Sequence, residues 1–572
     1  MQTLHEKSVR YLARHVEEIL SKQNQSGEFW PDAGIQAAYN TDYQQFAYYP
    51  LAYLYTLEHP ANPWKGNVRL LESVERSLRN NLAIQNLEGR YLMSSHDHAP
   101  RAEHGNWRSF SFLRTWELLR GVLAKDLDSA CEKSLRLVFP QLAQLSREEA
   151  TQPLYCRHHH IRNHGIWFLA SSYALARHFG DAQYAAWAAG EFERICACQH
   201  PAGCWFEHQG PVVVYQHVTM SGLSHYHALS GSPAALEALQ RCLHFYRLNY
   251  YPSGHPVEVL DGRVRYTGYA VSILPAAWAR LPAGRALLHH LLDRLLEQPL
   301  GAGYHTHGGW LGLPFFTQFA RDLGSAEPPA DPNVSALAPE GVHALPELPL
   351  RQIRKGPWTV TLSAFTRPAD PEGRWALDYQ AHLSVYHERA GLLVGGGGSK
   401  RQAAFSLFTG GSRPLGLPCL AQGGSAETTG QASARLTLDY PGFQAVLEAQ
   451  VLPDAVELSA RVNPVPGSAL SAEPIFLQLP FPMQGEVPVS TGGGKSYPAD
   501  VQSEIAAEHM GGALIRKGQF TLSGLAGAHA SLHLLPYNTH WRNGWSHRER
   551  AMGVVALPLS FGAARKIFLR AD

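Results

Sequence analysis

The first half of the chain repeats one hydrophobic rhythm. Val9, Leu12, Val16, Ile19 and Leu20 recur at intervals of three and four, which predicts an amphipathic helix over 8–23. The same spacing predicts helices over 43–57, 68–82, 109–123, 129–145, 165–179, 182–198, 219–229, 233–246, 269–281 and 284–296. Loops rich in Gly, Pro, Asn and His separate them. No strict repeat is visible, and paired helices stacked around an axis, with polar loops gathered at one end, are the expected arrangement. Beyond a Pro-rich stretch over 324–349 the period changes to two. Trp358, Val360, Leu362 and Ala364 alternate with polar residues, and strands are expected over 374–387, 392–394, 434–438, 443–452 and 455–462. Tyr440-Pro441-Gly442 and Pro453-Asp454 read as turns between them. The expected fold class is α+β multidomain: an incomplete α/α toroid over 1–325, a linker over 326–350 and an antiparallel β-sandwich over 351–572.

Composition narrows the function classes. The chain has 572 residues, enough for more than one core, with 49 Lys+Arg against 48 Asp+Glu. Balanced charge with no basic stripe speaks against a nucleic-acid partner, and no long apolar run predicts a membrane span. The N-terminus passes directly into a helix without a leader pattern, so a cytoplasmic location is expected, or a periplasmic or secreted one if a leader was removed. Thirty His, 24 Tyr and 13 Trp supply flat rings for stacking on sugars as well as core filling. Seven Cys include Cys196, Cys198 and Cys204, whose spacing is not that of a zinc site, and they read as reduced, mostly buried thiols. His158-His159-His160 are consecutive and point different ways, so they do not make a shared metal site, and Gly395 to Gly398 lacks a phosphate-loop ending. No cofactor or metal is expected.

The candidate chemistry concentrates between 157 and 226. Arg162-Asn163-His164-Gly165 opens an aromatic helix, and Trp205-Phe206-Glu207-His208-Gln209-Gly210-Pro211 leads to Tyr215-Gln216-His217. Helices followed by sheets, with these two segments, resemble the heparinase II/III, alginate-lyase and chondroitin-AC-lyase group of polysaccharide lyases. The resemblance implies that Asn163 and His164 grip a uronate carboxylate, that Tyr215 is the proton-transfer tyrosine, and that a His on a sheet strand faces the cleft. In Tyr379-Gln380-Ala381-His382 the matching residue is His382. Pro201-Ala202-Gly203-Cys204 stands where the family has Asp-Gly-Ser, and Gln216 intervenes between Tyr215 and His217.

The residue types suit the chemistry independently of the family. β-Elimination removes a proton alpha to a carboxylate, so an amide and an imidazole that spread the enolate-like charge lower the barrier. A tyrosine, with an ordinary pKa near 10, donates to the departing O4 and acts as base if a cation lowers that value. His208 or His382 is the base if the roles are divided. Each has a plain alternative: Asn163 as an N-cap, Tyr215 as a core residue, His208 as a loop residue and His382 as a strand filler. Candidate subsite residues are Tyr39, Asn40, Asp42, Tyr43, His104, Trp107 as a stacking platform, Arg108, Arg162, Glu207 and Arg263. The expected partner is an acidic poly- or oligosaccharide cleaved to a 4,5-unsaturated uronate. The rivals are a glycoside hydrolase, with Asp42, Glu207 and Asp261 as carboxylates, and a non-catalytic glycan-binding protein.

Overall fold

The computed structural model describes residues 2–29, 46–95, 98–102, 106–207, 210–261, 266, 268–300, 309–324, 331–366, 380–395, 403–410, 420–466, 474–483, 487–535 and 551–572. It divides into two compact units, one of residues 1–207, 214–244 and 269–336, the other of 208–213, 245–268 and 337–572.

In the first unit the helices sort into two kinds by burial. Leu4–Arg14, Val68–Ala83, Lys125–Ala150 and Ala182–Ala197 are amphipathic, as in Leu70, Ser73, Val74, Ser77, Leu78 and Asn81 of the second. Tyr48–Thr56, Asn106–Leu119, Asn163–Phe179, Val213–Ser230 and Gly309–Leu323 are instead covered nearly all round, with residues 165–176 buried without interruption. Helices hidden on every side form an inner layer, and one-faced helices cover them.

Side-chain contacts show that the inner helices run parallel. Trp107 stacks on Trp167 with centroids 5.9 Å apart, the Trp167 indole N–H donates to Val218 O at 2.9 Å, and Tyr173 meets Tyr226 one to two turns further on at 5.1 Å. Phe315 meets both Trp107 and Trp167, and Asp322, lower on the same helix, bonds His225 at 3.1 Å. Below the aromatic layer lies a buried polar network. The Arg114 guanidinium bonds Glu117 (2.7 Å) and His225, Arg321 joins Glu117 (3.4 Å), Gln318 donates to Asp322 (2.6 Å) and the Tyr49 hydroxyl to Gln318 (2.7 Å). His225 is held neutral by burial and by Arg114, so its Nε2 accepts from Arg114 while Nδ1–H donates to Asp322.

A repeat links the covering helices. Gln23, Gln85 and Gln199 each follow a covering helix and open a tight turn that closes at Gly27, Gly89 and Gly203, with φ of 94°, 83° and 89°. Their carboxamides reach back to Gly27 O (3.3 Å), Gly89 O (3.0 Å) and Gly203 O (3.0 Å), and across to the next covering helix at Ser73 O (2.8 Å), Ser134 O (3.2 Å) and Ala238 O (3.0 Å). A Cβ at Gly27 or Gly89 would stand 2.5 Å from the backbone of Arg76 or Leu137, which is why glycine occupies these corners. The pattern Gln-x-x-x-Gly is too sparse to stand out in the chain, so the repeat is visible only through its bonds.

The helix expected over 8–23 is broken at His15 into Leu4–Arg14 and Val16–Ser21. The helix expected over 269–281 has no regular secondary structure up to Pro275 and then makes a 3-10 turn, Ala276–Arg280. Val271 and Ile273 favour extended backbone, and Pro275 disfavours helical geometry at Leu274. Gly309–Leu323, with glycines and Pro314 in its run, is a helix that the periodicity did not announce.

The second unit is built on antiparallel sheets. Gly341–Leu345, Leu348–Lys355, Trp358–Ala364, Ala381–His387 and Gly391–Val394 form a meander in chain order. Ser433–Tyr440, Phe443–Val451 and Val456–Pro464 pair in register, with Leu436 opposite Leu447 and Leu447 opposite Ala460. Their alternate side chains join one core with Trp358, Val360, Leu362, Leu383 and Val385. The first two strands of the meander begin inside the stretch expected to be linker; Leu345 is buried at the end of the first, and Leu348 and Leu350 bury on alternate positions of the second. Residues 208–213 and 245–268, expected in the helical half, group with this unit. Arg354 donates to Leu248 O (2.8 Å) and Tyr250 O (2.6 Å), the Gln380 amide to Pro211 O and Leu260 O (both 2.9 Å), and Tyr251 bonds Ser384 at 3.0 Å.

Candidate functional site

Parallel inner helices bring their N-termini to one end of the first unit, where unpaired backbone N–H groups and aligned dipoles make an environment that favours anions. Asn163 and His164 stand in the first turn of Asn163–Phe179. The N-cap is Arg162, at φ −84° and ψ 134°, with no side-chain capping bond, so Asn163 is inside the helix and does not serve as its cap. Asn163 is 3% exposed and its carboxamide makes no hydrogen bond with another described residue. The His164 ring meets the edge of Trp107 at 5.4 Å.

Tyr215 lies in the first turn of the neighbouring helix, Val213–Ser230, and is partly exposed. The Trp167–Val218 bond ties the two helices together one turn below both residues. Packed helices lie about 8–10 Å apart, so groups on the two first turns can reach one sugar ring. Gln216, read from sequence only as a departure from the family pattern, is 3% exposed. Its Oε1 accepts from Trp205 N at 3.4 Å and its Nε2 has no hydrogen-bond partner. This amide is a further donor in the same turn that sequence reasoning missed. His217 is fully buried, with Nδ1 3.0 Å from Ile273 O.

Glu149 is the second omission. It ends Lys125–Ala150, is 8% exposed, and lies against the first turn of Asn163–Phe179, where a Cβ on Gly165 would be 2.6 Å from its Cγ. Burial pushes its carboxyl up, and Arg162, 3.2 Å away, partly offsets that. No period marks Glu149 in sequence; only the missing side chain of Gly165 hints at a close approach. Arg162 itself is half exposed and commits its guanidinium to this pair.

Other expected site residues are placed differently. Trp107 is 6% exposed, with one face stacked on Trp167 and contacts to His164 and Phe315, so it is a core ring and not an open platform. Arg108 is 2% exposed, bonded to Asn81 at 2.5 Å and placed between the rings of Phe46 and Tyr91, which removes it from a subsite wall. Glu207 is 6% exposed at the end of the strand Phe206–Glu207. His382 belongs to the sheet-rich unit, is 5% exposed and faces Leu383 O with Nδ1 at 2.7 Å. Burial lowers its pKa to about 4, so it is neutral near pH 7 and its Nε2 has no hydrogen-bond partner. Tyr39, Asn40, Asp42, Tyr43, His104, His208 and Arg263 lie outside the described residues. Among the described residues no group of His, Cys, Asp or Glu is arranged to hold a metal ion, and no helix is long and apolar enough to cross a membrane.

No family model matches the chain, and no curated protein matches it in sequence. Among solved structures, a chondroitin AC lyase of Streptomyces coelicolor A3 in complex with chondroitin sulphate is similar over 99% of this chain and 79% of that one, at 13% identity and a TM-score of 0.51. A chondroitinase AC lyase determined with oligosaccharides is similar over 99% and 82%, at 12% identity and the same TM-score of 0.51. An unsaturated glucuronyl hydrolase of Bacillus sp. GL1 covers 59% of this chain at a TM-score of 0.29 and adds nothing to the assignment. The chain has the α/α toroid plus antiparallel β-sandwich fold that these lyases share.

Proposed function

We propose that this protein is a glycan-active enzyme that cleaves a uronic-acid-containing poly- or oligosaccharide by β-elimination. The observation that carries the reading is the pairing of two first turns. Asn163 and His164 on one inner helix, and Tyr215 with the buried amide of Gln216 on the next, are held in register by the Trp167–Val218 bond. The similarity to two lyase folds supports it.

In this reading the uronate carboxylate docks on the Asn163 amide, His164 and the helix N-terminus, which together spread the negative charge that builds as the C5 proton leaves. The C5–H electrons form the C4=C5 double bond, the C4–O4 bond breaks, and O4 takes a proton. Tyr215 delivers that proton as general acid. The C5 proton goes to Tyr215 beforehand, or to a separate base. The Gln216 Nε2–H group gives a further donor to substrate oxygens.

Mass spectrometry of the products tests the reaction type. Elimination splits the chain without adding water, whereas a hydrolase adds one water per cut, and product masses that carry the added water would overturn the reading in favour of the carboxylate mechanism.

A further inference from the structure

Glu149 meets the candidate site on both flanks of Asn163 and His164. One carboxylate oxygen, Oε2, accepts from the Arg162 guanidinium at 3.2 Å, immediately before Asn163. The rest of the side chain lies against Gly165, immediately after His164. A Cβ on Gly165 would stand 2.6 Å from Glu149 Cγ and 3.1 Å from both its Cδ and Oε1. Asn163 and His164 are therefore the two residues between the points of contact. The other oxygen, Oε1, is buried and has no hydrogen-bond partner among the described residues.

Stability alone does not explain this arrangement. Gly165 sits in the first turn of Asn163–Phe179, and glycine is a poor helix former that alanine would replace to advantage if Glu149 were absent. A buried carboxylate with an unsatisfied oxygen is itself unfavourable. The two helices also meet without it: Ser146, one turn earlier on Lys125–Ala150, bonds Ser172 at 3.1 Å, and Ser172 bonds Tyr184 at 2.7 Å. What the carboxylate adds is position. It lies against the first turn of the helix, where the dipole favours an anion, and Arg162 balances its charge. The pair thus holds the turn without setting net charge against an incoming uronate.

We propose that Glu149 is a positioning residue for the β-elimination proposed above, the reading on which this inference rests. By gripping Arg162 and filling the space that Gly165 leaves open, it fixes the turn from which Asn163 and His164 meet the uronate carboxylate. Glu149 acts through these residues and touches no reacting atom. Its loss lets the two donors drift from the charge that develops on the substrate, which slows the chemical step more than it weakens binding.

The test joins kinetics, followed by absorbance of the unsaturated uronate, to hydrogen exchange on the full chain. Ile166 N–H bonds Arg162 O at 3.3 Å, so exchange over 166–168 reports on the turn whether or not the chain is active. In Glu149→Ala that exchange should quicken roughly tenfold or more. Its kcat should fall roughly tenfold or more while KM stays within about threefold. Glu149→Gln, which keeps the length and an acceptor for Arg162, should recover most of both losses. Gly165→Ala should share the defect, because its methyl displaces the Glu149 side chain. Combined with Glu149→Ala the methyl enters vacated space, so the double variant should be no worse than Glu149→Ala alone. Unchanged exchange in Glu149→Ala, a Gln variant as impaired as the Ala variant, or additive losses in the double variant would overturn the clamp. Faster exchange with unchanged kcat in an active chain, or a loss confined to KM, would overturn its part in the reaction. If the wild-type chain forms no unsaturated uronate, the elimination reading fails by itself, and the exchange result still decides the clamp.

Discussion

The indole N–H of Trp167 donates to the carbonyl of Val218 at 2.9 Å, and this bond sets the register between two parallel helices whose first turns carry Asn163 and Tyr215. Both groups of that bond are buried, so the register is stiff. Trp167→Phe keeps most of the ring and removes the donor. It should cost about 1–3 kcal/mol of stability and lower turnover roughly tenfold or more through misplacement of the two turns. Urea unfolding and steady-state kinetics measure the two effects, and a variant with unchanged kcat would detach the bond from the site.

Asn163 offers a cleaner separation of function from folding. Its amide makes no bond with another described residue, so Asn163→Ala should change stability by less than about 1 kcal/mol. The same substitution should lower kcat/KM by about a hundredfold or more, the usual loss for one donor to a developing oxyanion. Unfolding and kinetics on the same preparation decide it; a large stability loss with normal kinetics would mark Asn163 as structural.

The buried network beneath the aromatic layer makes a prediction about folding alone. Arg114→Met removes the partner of Glu117 and of His225 while keeping much of the side-chain volume. Leaving the partly buried Glu117 poorly paired should cost about 1–3 kcal/mol, read from the urea midpoint. Because Arg321 still reaches Glu117, a loss near zero would show that Arg321 alone satisfies it.

Acid should weaken the fold. His15, His160, His200 and His382 are each lowered to about 4, burial being the largest cause in every case. In the unfolded chain these rings take up protons near pH 6.5, so between about 6.5 and about 4 the unfolded state binds more protons than the folded one. Their contribution is complete above about pH 6.5 and declines as the pH falls toward 4. The urea midpoint should be lower at about pH 5 than at about pH 7.5, and His382→Gln should flatten the difference. A midpoint that rises on acidification would contradict these assignments.

Much of this was legible in the chain, for identifiable reasons. The spacing of Ile166, Phe168, Leu169 and Tyr173 and the alternation of Leu436, Leu447 and Leu458 with polar neighbours report burial directly, and the corresponding helix and strands follow. Trp107 and Arg108 misled because a polar loop precedes them: the residue types suggested a subsite, whereas their direction into the core depends on Trp167, Phe315 and Asn81, which are distant in sequence. Glu149 and Gln216 were hidden for the opposite reason. Each is an ordinary polar residue on a helix, and only the neighbouring turn or strand turns it into a buried group. The Gln23, Gln85 and Gln199 corners escaped because two residues four apart are too sparse a signal, and only their shared bonds to the next helix mark the repeat.

The most direct measurement is the ultraviolet absorbance of the conjugated 4,5-unsaturated uronate during incubation with alginate, heparan, chondroitin, hyaluronan and glucuronan oligomers, run beside Tyr215→Phe. The account predicts a rise on at least one uronate, reduced by about a hundredfold or more in the variant, with KM little changed. New reducing ends without absorbance, or a rise that Tyr215→Phe leaves intact, would contradict it.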